Sequence, residues 1–136
     1  MLMKWGIEII NNKDINVLVL AYLGDNVYEY YVRKFLIEKN ISSVDTLQKT
    51  AVNYVSAKSQ ASFLEKMIND NFFNEEELSI IKRARNHKGH GHPKNCDIVT
   101  YKHATALEAL IGYLKLEKQD ERIDSIMNYI LGGTIW

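Results

Sequence analysis

The 136-residue sequence predicts an all-α fold in a single domain. Apolar residues recur at three- and four-residue steps along most of the chain, the period of a helix buried on one side. One proline and 7 glycines leave few places to break such helices. A content of 46% hydrophobic and 25% charged residues provides for one core with no disordered tail.

Residues 15–38 form the first expected helix. They are apolar nearly all round at first and then acquire Glu29, Arg33 and Lys34, as suits a central helix with one emerging end. The stretch AYLGDNVYEYYV, 21–32, also carries a hairpin signal, because Gly24-Asp25-Asn26 lies between β-branched and aromatic runs. Residues 17–23 do not alternate, however, and a lone hairpin in a helical chain is marginally stable at best. Glu29 and Arg33, four apart, stand in the order that favours pairing on a helix. Gly24, Asp25 and Asn26 are therefore expected in mid-helix, where glycine costs about 1 kcal/mol and the other two several tenths each. A local cost without evident structural benefit marks a functional position.

Ser42 followed by Asp45 predicts a capping box and a short helix over 41–49. Ala57, Ala61, Leu64, Met67 and Ile68 predict a helix over 56–69. Asn74 opens NEEELSIIKRARN, with acids in the first turn and Lys82, Arg83 and Arg85 in the last, a polarity that complements the helix dipole. HKGHGHPKN, 87–95, reads as a loop. A long helix over 100–118 follows, then another over 119–131, carrying Ile123, Ile126, Met127 and Ile130 and stopped by Gly132-Gly133.

The longest uncharged stretch near the start, INVLVLAYLG, is about half of the ~20 residues a membrane span needs. No secretory signal pattern precedes it. The lone Cys96 permits no internal disulfide and agrees with a reducing compartment, so a cytoplasmic protein without a membrane partner is expected.

Net charge is zero, but its distribution is uneven. Between Lys82 and His103 stand Lys82, Arg83, Arg85, Lys88, Lys94 and Lys102 against the single acid Asp97, together with all four histidines. Such a window suits a polyanion partner, and equally a solvated basic loop.

Two carboxylates carry the chemical argument. Asp25 has Ala21 four residues before it; Glu108, in TYKHATALEALIGYLKLE, has Gly112 four residues after it, so each small residue shares a helix face with its acid. Helices crossing at these positions could approach closely and aim both acids into one cleft. Taken singly, either acid is ordinarily a satisfied or edge residue. Brought together they repel, and a hard divalent cation such as Mg²⁺ relieves this with one or two carboxylates and several waters. Beside a phosphodiester that ion lowers the pKa of a bound water and stabilises phosphoryl charge, which points to metal-dependent phosphodiester hydrolysis.

Other candidates have plainer explanations. His87, His90, His92 and Cys96 match no common zinc framework. Tyr22, Tyr28, Tyr30 and Tyr31 suit a core or dimer contact better than base stacking. Glu29 could be an outer metal ligand, yet its pairing with Arg33 explains it. Trp5 and Trp136 suit either the core or a dimer edge.

AYLGDNVYEYYV resembles the signature helix of the ribonuclease III catalytic domain, in which a Leu-Gly-Asp motif carries a metal-binding aspartate. ALEALIGYLKLE resembles the family's second signature, whose glutamate is another ligand, and YVSAKSQASFLEKM is similar to its Val-Ser helix. RARNHKGHGHPKNCDIVTYKHAT, with Pro93-Lys94-Asn95 and Asp97 ahead of Thr100-Tyr101, resembles the Mini-ribonuclease III branch. The likeness spans about residues 14–133.

The resemblance implies a homodimeric, Mg²⁺-dependent endoribonuclease that cuts double-stranded RNA, with Asp25 and Glu108 as metal-binding catalytic residues. Two family acids are replaced, by Ala21 and Thr105, which implies fewer protein ligands; the Mini branch shares this reduced set. A catalytically weak or inactive RNA-binding module of the same fold is the alternative. With no room expected for a double-stranded-RNA-binding domain, the grip on RNA falls to Lys82, Arg83, Arg85, Lys88, Lys94 and Lys102, through phosphates and without sequence reading. For the Mini branch the implied substrate is the stem of precursor large-subunit (23S) ribosomal RNA, with a large-subunit ribosomal protein assisting.

Overall fold

A computed structural model describes residues 11–89, 91 and 94–132. Among them the fold is helical with no strand: α1 (Val17–Glu38), α2 (Val44–Val55), α3 (Ala57–Asn69), α4 (Glu75–Arg85), α5 (Ile98–Leu116) and α6 (Asp120–Met127). A 3₁₀ turn, Asn12–Asp14, precedes α1, and a π turn, Asn128–Gly132, widens the end of α6. No helix among the described residues is long and apolar enough to cross a membrane.

Most helix starts are chemically marked. Asn16, Ser43, Ser56, Asn74 and Asp97 each accept a backbone N–H in the first turn of the helix they open. Asn74 and Glu77 form a full capping box. The second helix departs from expectation: its cap is Ser43 rather than Ser42, and it runs to Val55 instead of stopping near 49. It continues because Leu47, Ala51 and Val55 extend an apolar stripe onto the core. The fifth helix starts two residues early, since Asp97 caps it through both the backbone and the hydroxyl of Thr100. Asn71 and Lys118 take left-handed backbone after α3 and α5. Bonds from Phe72 to the Met67 carbonyl and from Gln119 to the Leu114 carbonyl complete Schellman turns there. Gly133, Trp5 and Trp136 lie outside the described residues, as do His90, His92 and Pro93.

The core is built around α5, which packs mainly on α1 and also on α3, α4 and α6. Leu107, Leu110, Ile111 and Leu114 of α5 meet Leu20, Val32 and Leu36 of α1, Leu64 and Met67 of α3, and Ile80 and Ile81 of α4 in one buried cluster. An ion pair with a buried acid and a partly exposed base ties α4 to α6. Glu77, 1% exposed, receives two bonds from Arg122 at 2.7 and 2.8 Å, and Arg122 also donates to the Phe72 carbonyl at 2.8 Å.

The crossing of α1 and α5 is closer than ordinary side chains allow. A Cβ added at Gly24 would lie 1.6 Å from the Glu108 carbonyl oxygen, and one added at Gly112 would lie 1.9 Å from that of Leu20. Backbone therefore touches backbone. The expectation that Gly24 brings no structural benefit is corrected here: it is the contact that permits the crossing. Gly24 and Gly112 meet directly, whereas Ala21 is simply buried in the core.

Candidate active site

Asp25 follows Gly24 on α1, and Glu108 is the α5 residue whose carbonyl faces Gly24. The backbone contact that joins the helices thus also joins the acids. Asp25 is exposed, Glu108 is half-buried, and their carboxyl groups stand within hydrogen-bonding reach. Burial, followed by the hydrogen bond and charge of Asp25, pushes the Glu108 carboxyl up to about 8. A bond from Gln60 Nε2 to Glu108 Oε2, at 3.4 Å, acts in the opposite sense.

Glu29, one turn after Asp25, is near enough for its charge to weigh on Glu108. Its own carboxylate accepts a bond from Arg33 at 2.9 Å, the expected helical pair. Ala21 and Thr105, at the positions of the replaced family acids, are buried. Among the described residues no three of His, Cys, Asp and Glu converge as a metal cluster. The donor set is a carboxylate pair open to solvent on the Asp25 side and backed by a buried amide. That set suits a hard cation holding several waters. It does not suit a structural zinc, which takes a closed shell of four cysteine or histidine ligands.

Gln60 escapes a periodicity search because such a search scores only apolar positions. It shares the buried side of α3 with Leu64 and Met67, and a polar residue on that stripe was its one available signal.

The basic window divides. Lys82, Lys88 and Lys94 are exposed, and Arg85 and Lys102 are half-buried. Arg83 has a structural use: its guanidinium donates to the Lys13 carbonyl and, at 3.0 Å, to that of Ile15, tying the segment before α1 to the end of α4. Tyr28 is fully buried, and its hydroxyl donates to the Tyr54 carbonyl at 2.6 Å. Tyr31 donates to Asp124 at 2.6 Å. Tyr22, 84% exposed, lies with Val19, Tyr30 and Ile37 among the exposed apolar residues of α1.

Residues 18–119 match the family profile described as "Ribonuclease III domain". The chain is 44% identical over 119 residues to the Mini-ribonuclease 3 of Staphylococcus aureus, covering 88% of this chain and 89% of that one. It is 49% identical over 112 residues to that of Brevibacillus brevis, covering 82% of each. A crystal structure of a Fusobacterium nucleatum protein superposes with a TM-score of 0.81 at 37% identity, covering 90% of this chain and 99% of the other. With Leu23-Gly24-Asp25 and Glu108 converging on one helix crossing, the chain belongs to the ribonuclease III family of endoribonucleases, alongside the Mini-ribonuclease 3 proteins.

Proposed function

We propose that the chain is a Mg²⁺-dependent endoribonuclease in which Asp25 and Glu108 are the catalytic, metal-holding residues. The observation that carries this reading is the convergence of the two carboxylates at the Gly24–Gly112 crossing, with one of them carrying a strongly raised pKa. With its carboxyl raised to about 8, Glu108 is fully ionised at neutral pH only beside compensating positive charge. When bound there, Mg²⁺ supplies a water of lowered pKa and charge stabilisation for the phosphoryl oxygens.

The protein's share of the work is positional. Asp25, on the exposed side, faces the incoming strand. Glu108, half-buried and backed by Gln60, would hold the ion from the buried side through its ionised carboxylate. The rigid backbone contact fixes the distance between the two helices, so the pair is already oriented before RNA binds.

The substrate in this reading is double-stranded RNA, in the cell the stem of precursor 23S ribosomal RNA, with a large-subunit ribosomal protein as an accessory partner. Lys82, Arg85, Lys88, Lys94 and Lys102 contact phosphates, and the domain's own surface provides the grip. Two copies associate through the exposed apolar side of α1, which places two centres on one duplex in the cytoplasm. Support comes from the names of the relatives, the basic window and the exposed Val19, Tyr22, Tyr30 and Ile37.

Asp25→Asn tests the assignment. With a folded precursor-stem RNA and Mg²⁺, the parent chain yields discrete products and the variant yields none while retaining duplex affinity. A parent chain that binds the duplex and never cuts it, at any Mg²⁺ concentration, reduces the protein to an RNA-binding module.

A further inference from the structure

We propose that Gln60 is a positioning residue of the carboxylate centre: its buried amide donates to Glu108 and holds that carboxylate facing Asp25. The inference rests on the reading of Asp25 and Glu108 as the metal-holding pair. Three polar or charged residues are buried among those described: Glu77, Thr105 and Gln60, the last 3% exposed. Glu77 is occupied by Arg122 and by the Asn74 N–H. The Gln60 amide is directed at Glu108 Oε2.

A buried amide without a hydrogen bond is costly, so a stripe that otherwise carries Leu64 and Met67 would ordinarily take a third apolar residue at this position. The local backbone is built to place it. Ser56 caps α3 through the Ser59 N–H and hydroxyl, and the Ser56 carbonyl accepts the Gln60 N–H at 2.9 Å. Val-Ser-Ala-Lys-Ser-Gln, 55–60, thus ends α2, starts α3 and delivers an amide to α5 within six residues.

The choice of amide also follows from charge. A third acid here would add to the repulsion already bearing on Glu108, and an apolar residue would leave its buried oxygen without a donor. An amide donor favours the ionised carboxylate, the form a cation needs, while adding no net charge. Its 3.4 Å separation is long for an N–H···O bond and leaves room to shorten once Glu108 is ionised. Loss of partners that orient metal ligands typically weakens metal affinity 10–100-fold.

The test uses the full chain and the variants Gln60→Met, of similar volume without a donor, and Gln60→Glu, of the same shape with an acid. Mn²⁺ or Mg²⁺ binding without RNA is read by titration calorimetry, and duplex cleavage is read against Mg²⁺ concentration and pH. For Gln60→Met the expected results are metal binding about tenfold weaker or more, a matching rise in the Mg²⁺ needed for half-maximal cleavage, and unchanged duplex affinity without metal. For Gln60→Glu the metal-binding pH profile moves to higher pH, a shift that a packing role would not produce. The proposal is overturned if Gln60→Met binds metal and cleaves as the parent does, or, where that variant does not fold, if Gln60→Glu keeps the parent profile. Metal binding lost in Asp25→Asn but intact in Gln60→Met sinks the role of Gln60 alone. Absence of metal binding in the parent sinks the metal reading with it.

Discussion

Adding one methyl group at Gly24 tests the architecture and the site together. Helix propensity alone says that Gly24→Ala stabilises α1 by about 1 kcal/mol. The structure says the opposite, because the new Cβ would lie 1.6 Å from the Glu108 carbonyl oxygen and 2.9 Å from the Gly112 nitrogen, both backbone atoms. Ordinary contact begins near 3.4 Å, so the helices must part by roughly 2 Å, a large fraction of the slack in an interaxial spacing of about 8–10 Å. Overpacking a core costs about 1–3 kcal/mol, and here the disturbance spreads across the most extensive helix pairing of the fold. A cost at the top of that range, less the gain of about 1 kcal/mol in propensity, leaves a net loss of about 2 kcal/mol in urea unfolding. Because the struck carbonyl belongs to Glu108, the same movement separates the acids, and a misplacement of about 1 Å in a catalytic centre can cost about 100-fold in rate. Gly91→Ala, where an added Cβ meets nothing within 4 Å, is the stability control and should change unfolding by less than about 0.5 kcal/mol. A Gly24→Ala protein as stable and as active as its parent would show that the helices do not cross on backbone.

Three further outcomes follow from particular residues. Without a divalent cation, Glu108 retains its proton in the folded protein up to about pH 8, while the unfolded chain releases it near 4.5, so its stabilising contribution is complete below pH 4.5 and is lost as pH rises towards 8. Chemical denaturation across that range should show this slope in the parent and not in Glu108→Gln, and Mg²⁺ should flatten it. Arg83→Gln should lower stability by about 1–2 kcal/mol through the two carbonyls it abandons, with little effect on the salt dependence of RNA binding; Lys88→Gln with Lys94→Gln should reduce the salt slope by about 2 at unchanged stability. Lys118→Gly should raise the unfolding midpoint, since a left-handed residue with a side chain costs about 1 kcal/mol that glycine avoids.

Signals that act within a few residues were legible in the sequence; those that depend on a partner from elsewhere in the chain were less so. Periodicity placed Gly24-Asp25-Asn26 inside a helix, and the cap at Asn74 marked its helix correctly. The reason for Gly24 lies on α5, more than eighty residues away, so spacing showed only its local cost and pointed to Ala21 and Gly112 as the close-approach residues, of which Gly112 is at the contact and Ala21 is not. Arg83 reads like any cation at a helix end until the carbonyls of Lys13 and Ile15 come into view. Ser42 and Ser43 offer nearly equivalent caps, and the apolar run to Val55 decides between them through tertiary packing. The π turn at Asn128–Gly132 replaces the plain helical end expected there, with Ile130 and Leu131 both buried.

The Glu77–Arg122 pair gives the C-terminal helix a property that its eight residues would not otherwise have. Eight residues seldom hold as a helix by themselves, yet lifting α6 away would break both bonds from Arg122 to Glu77 and its bond to the Phe72 carbonyl, leaving a carboxyl that is 1% exposed without its partner. Opening of α6 therefore costs the ion pair as well as the packing of Ile123, Ile126 and Met127. Amide exchange at Ile123, Ile126 and Met127 in neutral solution should then proceed no faster than exchange in the middle of α5.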